Sequence, residues 1–321
     1  PSAGDPVRPI FEHYPVENMR TGDLYWYNDC YGSHGSVSHS PDQVFLAPVF
    51  IDGQLLGFVQ SWAHFADIGG MWPGSISPDC VDIFQEGIIV PPVRLAREGE
   101  VNEDLLRLFF RNSRFPDLIK GDTRACLAAL RLGERRLVEL AGRFGMEVVA
   151  DAFRQLGARS ERAAKARLRA IIPHGQYRFS DEIETDGQGN GPFRIAMELR
   201  VGDNGVVLDF SGSDDQAPGP INYLLNPAVP RAMLGMYLLA GDRTLPLNSG
   251  AGRAVDEVIL RQGSLLQPDW PAPLGQRGLT MMRLLSATMG LINAAGGSST
   301  AANCPYVIYF ARGLDAAGEP F

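Results

Sequence analysis

Cysteine is scarce and scattered. Cys30, Cys80, Cys126 and Cys304 are the only four in 321 residues, and no two form a C-x-x-C pair. That spacing excludes a thiolate zinc site and a dense disulfide framework. A basic excess is also missing. Acidic residues outnumber basic ones by 37 to 29, for a formal net charge of -8. A chain that grips nucleic acid through its phosphates carries a basic surface instead. The one Arg- and Lys-rich stretch, residues 154–169, reads as the solvated face of a helix. No apolar run reaches the roughly 18 residues of a membrane span. The nearest, residues 284–295, is interrupted by Ser, Thr, Gly and Asn. With no signal peptide read at the start, the expectation is a soluble, cytoplasmic, reduced protein with no nucleic-acid or membrane partner.

Nucleotide and hydrolase signatures are missing too. There is no G-x-x-x-x-G-K-[ST] for a phosphate-cradling loop and no G-x-S-x-G for a serine nucleophile. "GQRG" (275–278) has glycines but no lysine and reads as a flexible loop. "DGQGNG" (186–191) has a faint calcium-loop look but lacks the closing glutamate, so a wide hairpin loop is preferred.

What is present is an ordinary globular composition, 45% hydrophobic and 21% charged. Residues 1–100 read as short strands broken by Gly and Pro. "GDLYWYND" is one, and "QVFLAPVFIDGQLLGFVQSWAHF" is two, joined by an Asp52-Gly53 turn. "GGMWPGSISPDC" is a loop. Residues 101–173 are helical, and the clearest helix has Leu127, Leu130, Leu137, Leu140 and Phe144 on one face, Asp122 as its cap and Gly145 as its end. Residues 174–321 begin with antiparallel strands. Ile195, Met197, Leu199 and Val201 alternate into an Asn-Gly turn, and Val206, Leu208 and Phe210 alternate on the way back. Helical stretches follow at 231–241 and 278–297. Strands, helices, strands, helices without βαβ regularity make an α+β fold.

Histidine is the residue to weigh, because only five exist. His39 and Asp42 lie three apart in "SVSHSPDQVF", and His64 lies in "SWAHFADIGG". Imidazole nitrogen with carboxylate oxygen is the donor set of a first-row divalent metal, and a catalytic site leaves a coordination position open. A hairpin returns the chain to its start, so the layout permits a His39, Asp42, His64 face. Asp67 is a candidate for a further ligand or for orienting His64. The other reading is two ordinary buried histidines beside a turn. His34 reads as a loop residue, and His13 and His174 read as surface or turn residues. Asp29 is a candidate for orienting a ligand or a water. Glu86 is split between reaching the site and a capping or surface role, and Arg135 and Arg136 read as helix-face ion pairs.

The chain resembles the hydantoinase B/oxoprolinase family, which includes the large metal-binding subunits of acetone and acetophenone carboxylases. The resemblance rests on "GDLYWYND", "SHSPDQVFLAPVF", "SWAHFADIGGMWPGS", "FQEGIIVPPVRL", "RLGERRL", "DFSGSDDQAPGPIN" and "GSLLQP". It implies a divalent metal (Zn, Mn or Fe) on His39, Asp42 and His64. Three departures stand out. The family's frequent second histidine is Phe65 here; its Asn-Asp-Pro-Tyr element is Asn28-Asp29-Cys30-Tyr31; and its members run longer at both ends, so this chain looks like a core segment of a longer polypeptide, without any acidic ligand their N-terminal part supplies.

The resemblance also implies a division of labour. A hydantoinase A-type ATPase subunit uses ATP and Mg to phosphorylate a carbonyl oxygen of a small-molecule substrate. The metal subunit then processes the activated carbon, within a larger hetero-oligomer. Hydrolysis of a cyclic amide is the first expectation, with the metal as Lewis acid and source of hydroxide. Carboxylation of a ketone is the second, toward which Phe65 and the aromatic "YWYND" and "SWAHF" segments lean. A non-haem iron oxygenase and a purely structural metal are the remaining readings.

Overall fold

The computed structural model describes residues 5–297, apart from 241, 243, 246 and 247, together with 316–318. After a short helix, α1 (Arg8–His13), come β1 (Leu24–Tyr27), β2 (Asp42–Ile51) and β3 (Gln54–His64), then β4 (Val93–Arg97) and β5 (Glu100–Val101). These five form an antiparallel sheet in the order β3-β2-β1-β4-β5. Helices α2 (Glu103–Arg111), α3 (Pro116–Phe144) and α4 (Met146–Ile171) follow. A second sheet holds β6 (Gly175–Ile183), β7 (Phe193–Gly202) and β8 (Gly205–Asp209); after α5 (Ala228–Leu239) it gains β9 (Glu257–Ile259), and α6 (Arg277–Ala294) then packs on β6 and β7. The fold is α+β.

Strands β1 and β2, inside the first sheet, are buried on both faces. Leu24 and Trp26 of β1 and Phe45 and Ala47 of β2 pack against α2 and α3 through Phe109, Ile119 and Leu130. Tyr25, Tyr27, Val44 and Leu46 face the other way, against Ile10, Leu224 and Leu274. Burial on both sides explains why "LYWY" has no polar alternation. Its aromatics are core residues, which removes their lean toward an aryl substrate.

The β2–β3 hairpin turns where expected. Asp52 and Gly53 both take positive φ, 49° and 80°, as a two-residue turn of this kind requires. From the turn the ladder pairs Ile51 with Gln54 and Phe50 with Leu55, then skips Leu56 and pairs Val49 with Gly57. This bulge moves the rest of β3 by one residue. Because side chains alternate with a period of two, that one residue decides which face His64 occupies.

Three details differ from the sequence expectations. Helix α3 starts at Pro116, whose ring suits the first helical position, so Asp122 lies inside the helix rather than capping it. Leu140 and Phe144 are 43% and 50% exposed, because the buried positions Ile119, Thr123, Cys126 and Leu130 lie in the first half of α3 and only Ala141 beyond them. In the second sheet β9 runs parallel to β8, since the chain returns through α5 before entering it. Arg135 and Arg136 lie on the exposed face of α3, and Arg136 pairs with Glu139 at 2.7 Å. Cys30, Cys80 and Cys126 are free and buried; Cys304 lies outside the described residues.

Candidate metal centre

His39 sits in the turn that feeds β2, where the Asp42 backbone N–H donates to the His39 carbonyl at 3.1 Å. Asp42 opens β2, and the bulged register sets it directly opposite His64, the last residue of β3. Facing residues of an antiparallel pair project to the same side. The side chains therefore converge. His39 Nδ1 is 3.1 Å from Asp42 Oδ2, and His64 Nδ1 is 3.3 Å from Asp42 Oδ1. The two imidazoles stack with centroids 4.9 Å apart.

One nitrogen from each ring and one Asp42 oxygen all lie within 4.8 Å of one another. Ligands around an ion at about 2.0–2.2 Å stand roughly 3–3.5 Å from each other, a spacing that the two His–Asp contacts of 3.1 and 3.3 Å match. His39 and Asp42 are buried, whereas the His64 side chain is 42% exposed and leaves the cluster an open side. Burial and the nearby Arg277 guanidinium lower the His39 pKa to about 4, which keeps its ring neutral. Burial alone pushes the Asp42 carboxyl up, but His39, His64 and Arg277 outweigh it and hold it well below the usual carboxylate range. A neutral His39 imidazole and an ionised Asp42 carboxylate are the protonation states a metal needs.

Two expected residues are used elsewhere. The Asp67 carboxylate accepts from the backbone N–H groups of Gly69, Gly74 and Arg114 at 3.1, 2.9 and 2.9 Å, and from Arg114 Nη1 at 2.8 Å. Both oxygens are spent closing the loop after β3, and neither orients His64. Asp29 Oδ1 accepts the Gly32 N–H at 2.8 Å and shapes the turn before His39. His34 is an exposed loop residue with φ 52°, its Nε2 3.2 Å from Glu12 Oε2. His13 and His174 are exposed. Phe65 is fully buried and packs between Phe45 and Phe109 at 6.3 and 6.1 Å. The pleat that sends His64 into the site sends Phe65 into the core, so Phe65 does not face a substrate.

Two residues join the site that sequence reasoning had assigned elsewhere or left undecided. Arg277, in the "GQRG" read as a flexible loop, opens α6 and reaches the cluster: its Nη2 is 3.2 Å from His39 Nδ1 and 3.3 Å from Asp42 Oδ2, and its Nε donates to Ser38 Oγ at 2.6 Å. Glu86 is buried in the turn before β4, and its Oε1 accepts from the Leu274 and Gly275 N–H groups at 2.5 and 2.6 Å. It fixes the turn that delivers Arg277. A lone arginine at the start of an apolar helix, with no acidic neighbour to pair with, was the available signal.

Comparison with known proteins agrees with this architecture. The family model Hydantoinase B/oxoprolinase matches residues 2–320. Caprolactamase subunit beta of Pseudomonas jessenii is 30% identical over 279 residues, covering 86% of this chain and 46% of that protein. The acetophenone carboxylase delta subunit of Aromatoleum aromaticum is 29% identical over 273 residues, covering 82% and 38%. The crystal structure of ATP-dependent caprolactamase from Pseudomonas jessenii superimposes with a TM-score of 0.79 at 30% identity, covering 90% of this chain and 48% of that one. The chain thus spans less than half the length of these relatives, and across its own length it belongs to the hydantoinase B/oxoprolinase family.

Proposed function

We propose that this chain carries the metal centre of an ATP-dependent cyclic-amide hydrolase of the hydantoinase/oxoprolinase type. The observation behind this reading is the convergence of His39, Asp42 and His64 with one side open. A divalent ion (Zn, Mn or Fe) held there supplies Lewis acidity and lowers the pKa of a water. The chain's own residues hold His39 neutral and Asp42 ionised, bury these two of the three donors, and keep His64 at the solvent edge where a substrate enters.

A hydantoinase A-type ATPase subunit is the proposed partner, using ATP and Mg to phosphorylate the carbonyl oxygen. The relatives' names support a multi-subunit assembly, since they are a subunit beta and a subunit delta. An amide substrate is favoured by the caprolactamase, which resembles this chain in both sequence and structure. Ketone carboxylation is the second reading, supported by the acetophenone carboxylase relative. The test uses the chain purified with its ATPase partner. Elemental analysis is expected to give one divalent ion per chain. Caprolactam, hydantoin and 5-oxoproline are assayed with ATP, and acetophenone with ATP and bicarbonate. ATP-dependent ring opening is expected. Turnover of acetophenone alone would replace the first reading by the second, and loss of neither metal nor turnover in His39→Ala would remove both.

A further inference from the structure

Arg277 has more donors than the cluster uses. Nε is taken by Ser38 Oγ and Nη2 lies against His39 and Asp42, but Nη1 has no hydrogen-bond partner among the described residues. The side chain as a whole keeps 7% of its surface in contact with solvent. The guanidinium is also held in place from behind. The Gln276 N–H donates to the Pro220 carbonyl at 2.8 Å and the Arg277 N–H to the Leu274 carbonyl at 2.9 Å, while Glu86 fixes Leu274 and Gly275. A guanidinium already ordered loses little further freedom when it binds a ligand.

Charge decides what it binds. The Asp42 carboxylate stands beside the Arg277 guanidinium, and a divalent ion on the same donors leaves the site strongly positive. A neutral amide does not answer that charge; a dianionic phosphoryl group does, and its oxygens match the guanidinium fork. We propose that Arg277 is a substrate-binding residue of the metal centre, donating Nη1–H to a phosphoryl oxygen of the activated substrate. This rests on the function proposed above, in which the substrate arrives phosphorylated.

Inorganic phosphate is the probe, titrated by calorimetry into the Mn- or Co-loaded protein, with acetate as a monoanionic control. Phosphate is expected to bind and acetate to bind far more weakly. Arg277→Met, which keeps most of the side-chain stem, is expected to weaken phosphate binding by about 10- to 100-fold, the worth of a charged hydrogen bond, with the metal content unchanged. Arg277→Lys retains the charge and is expected to fall between; it also serves if the Met variant does not fold. Equal phosphate affinity in wild type and the folded variants, no phosphate binding by the metal-loaded wild type, or acetate binding as well as phosphate each overturns the assignment. Failure of the wild type to take up any metal overturns the reading of the preceding subsection instead, and titration of phosphate into that metal-free protein and its Met variant still reads the share of Arg277.

Discussion

Glu86 has no exposed surface, yet its Oε2 has no hydrogen-bond partner while Oε1 serves two N–H groups. Burial pushes its pKa up to about 8, against the opposite pull of those two N–H groups and of Arg277. The folded protein therefore holds this proton more tightly than the unfolded chain, whose ordinary value is 4.5. The stability it contributes is complete below that value and is lost as pH rises through about 8. His39 acts in the other direction. Its folded value of about 4 lies below the ordinary 6.5, so its contribution is present above 6.5 and lost as pH falls through about 4. Glu86→Gln keeps a carbonyl oxygen for Leu274 and Gly275 but cannot ionise. Its melting temperature is expected to gain steadily on that of the wild type from about pH 5 to about pH 8.5. A difference that stays flat across this range would mean that Glu86 is already ionised in the folded protein, as it is in the unfolded chain, and that burial does not hold its proton.

The β2–β3 hairpin is the element that makes the site. Its turn was legible in Asp52-Gly53, and its two strands in their apolar runs. The bulge at Leu56 was not legible, because one more apolar residue in "QLLGF" carries no mark of being unpaired. Continued from the turn without the bulge, the ladder would set Asp42 opposite Ala63 and turn His64 to the face that Phe65 now occupies. Deleting Leu56 together with Gly57 closes the bulge and slides the rest of β3 by one residue, so that Phe65 comes opposite Asp42; it is expected to leave a folded sheet but to cost at least about 10- to 100-fold in metal affinity, the range seen when support of a metal ligand is lost. Equilibrium dialysis against Mn or Zn measures the affinity, and circular dichroism checks the sheet. Unchanged affinity would show that the register does not place His64. The same parity argument explains Phe65: adjacent in sequence to a site residue, it is separated from the site by the full thickness of the strand.

Across the whole molecule, the site joins the first sheet to the start of α6. His39 and Asp42 lie more than two hundred residues before Arg277, and Glu86 ties the turn before β4 to the segment that leads into α6. An ion bound at this junction stabilises the native state by mass action. At a hundred times its Kd it adds about 2.7 kcal/mol. In a chain of this size that corresponds to a rise of roughly 5 °C in Tm. Scanning calorimetry with added Mn or Zn is expected to show the rise, a chelator to reverse it, and His39→Ala to abolish it. No shift at saturating metal would mean that the folded chain holds no ion, and a shift that survives in His39→Ala would place the ion elsewhere.

The sequence by itself determined the α+β class, the turn at Asp52-Gly53 and the long helices, and it singled out His39, Asp42 and His64 as candidates, because turn chemistry, periodicity and donor type are written in short stretches. Only the tertiary structure decided that Asp67 closes a loop on Arg114, that the aromatics of β1 and Phe65 are core, that Arg277 reaches His39 and Asp42, and that Glu86 fixes the turn before it. Those outcomes depend on strand register, on backbone N–H groups that every residue type but proline carries alike, and on contacts between segments far apart in the chain, none of which leaves a local mark in the order of residues.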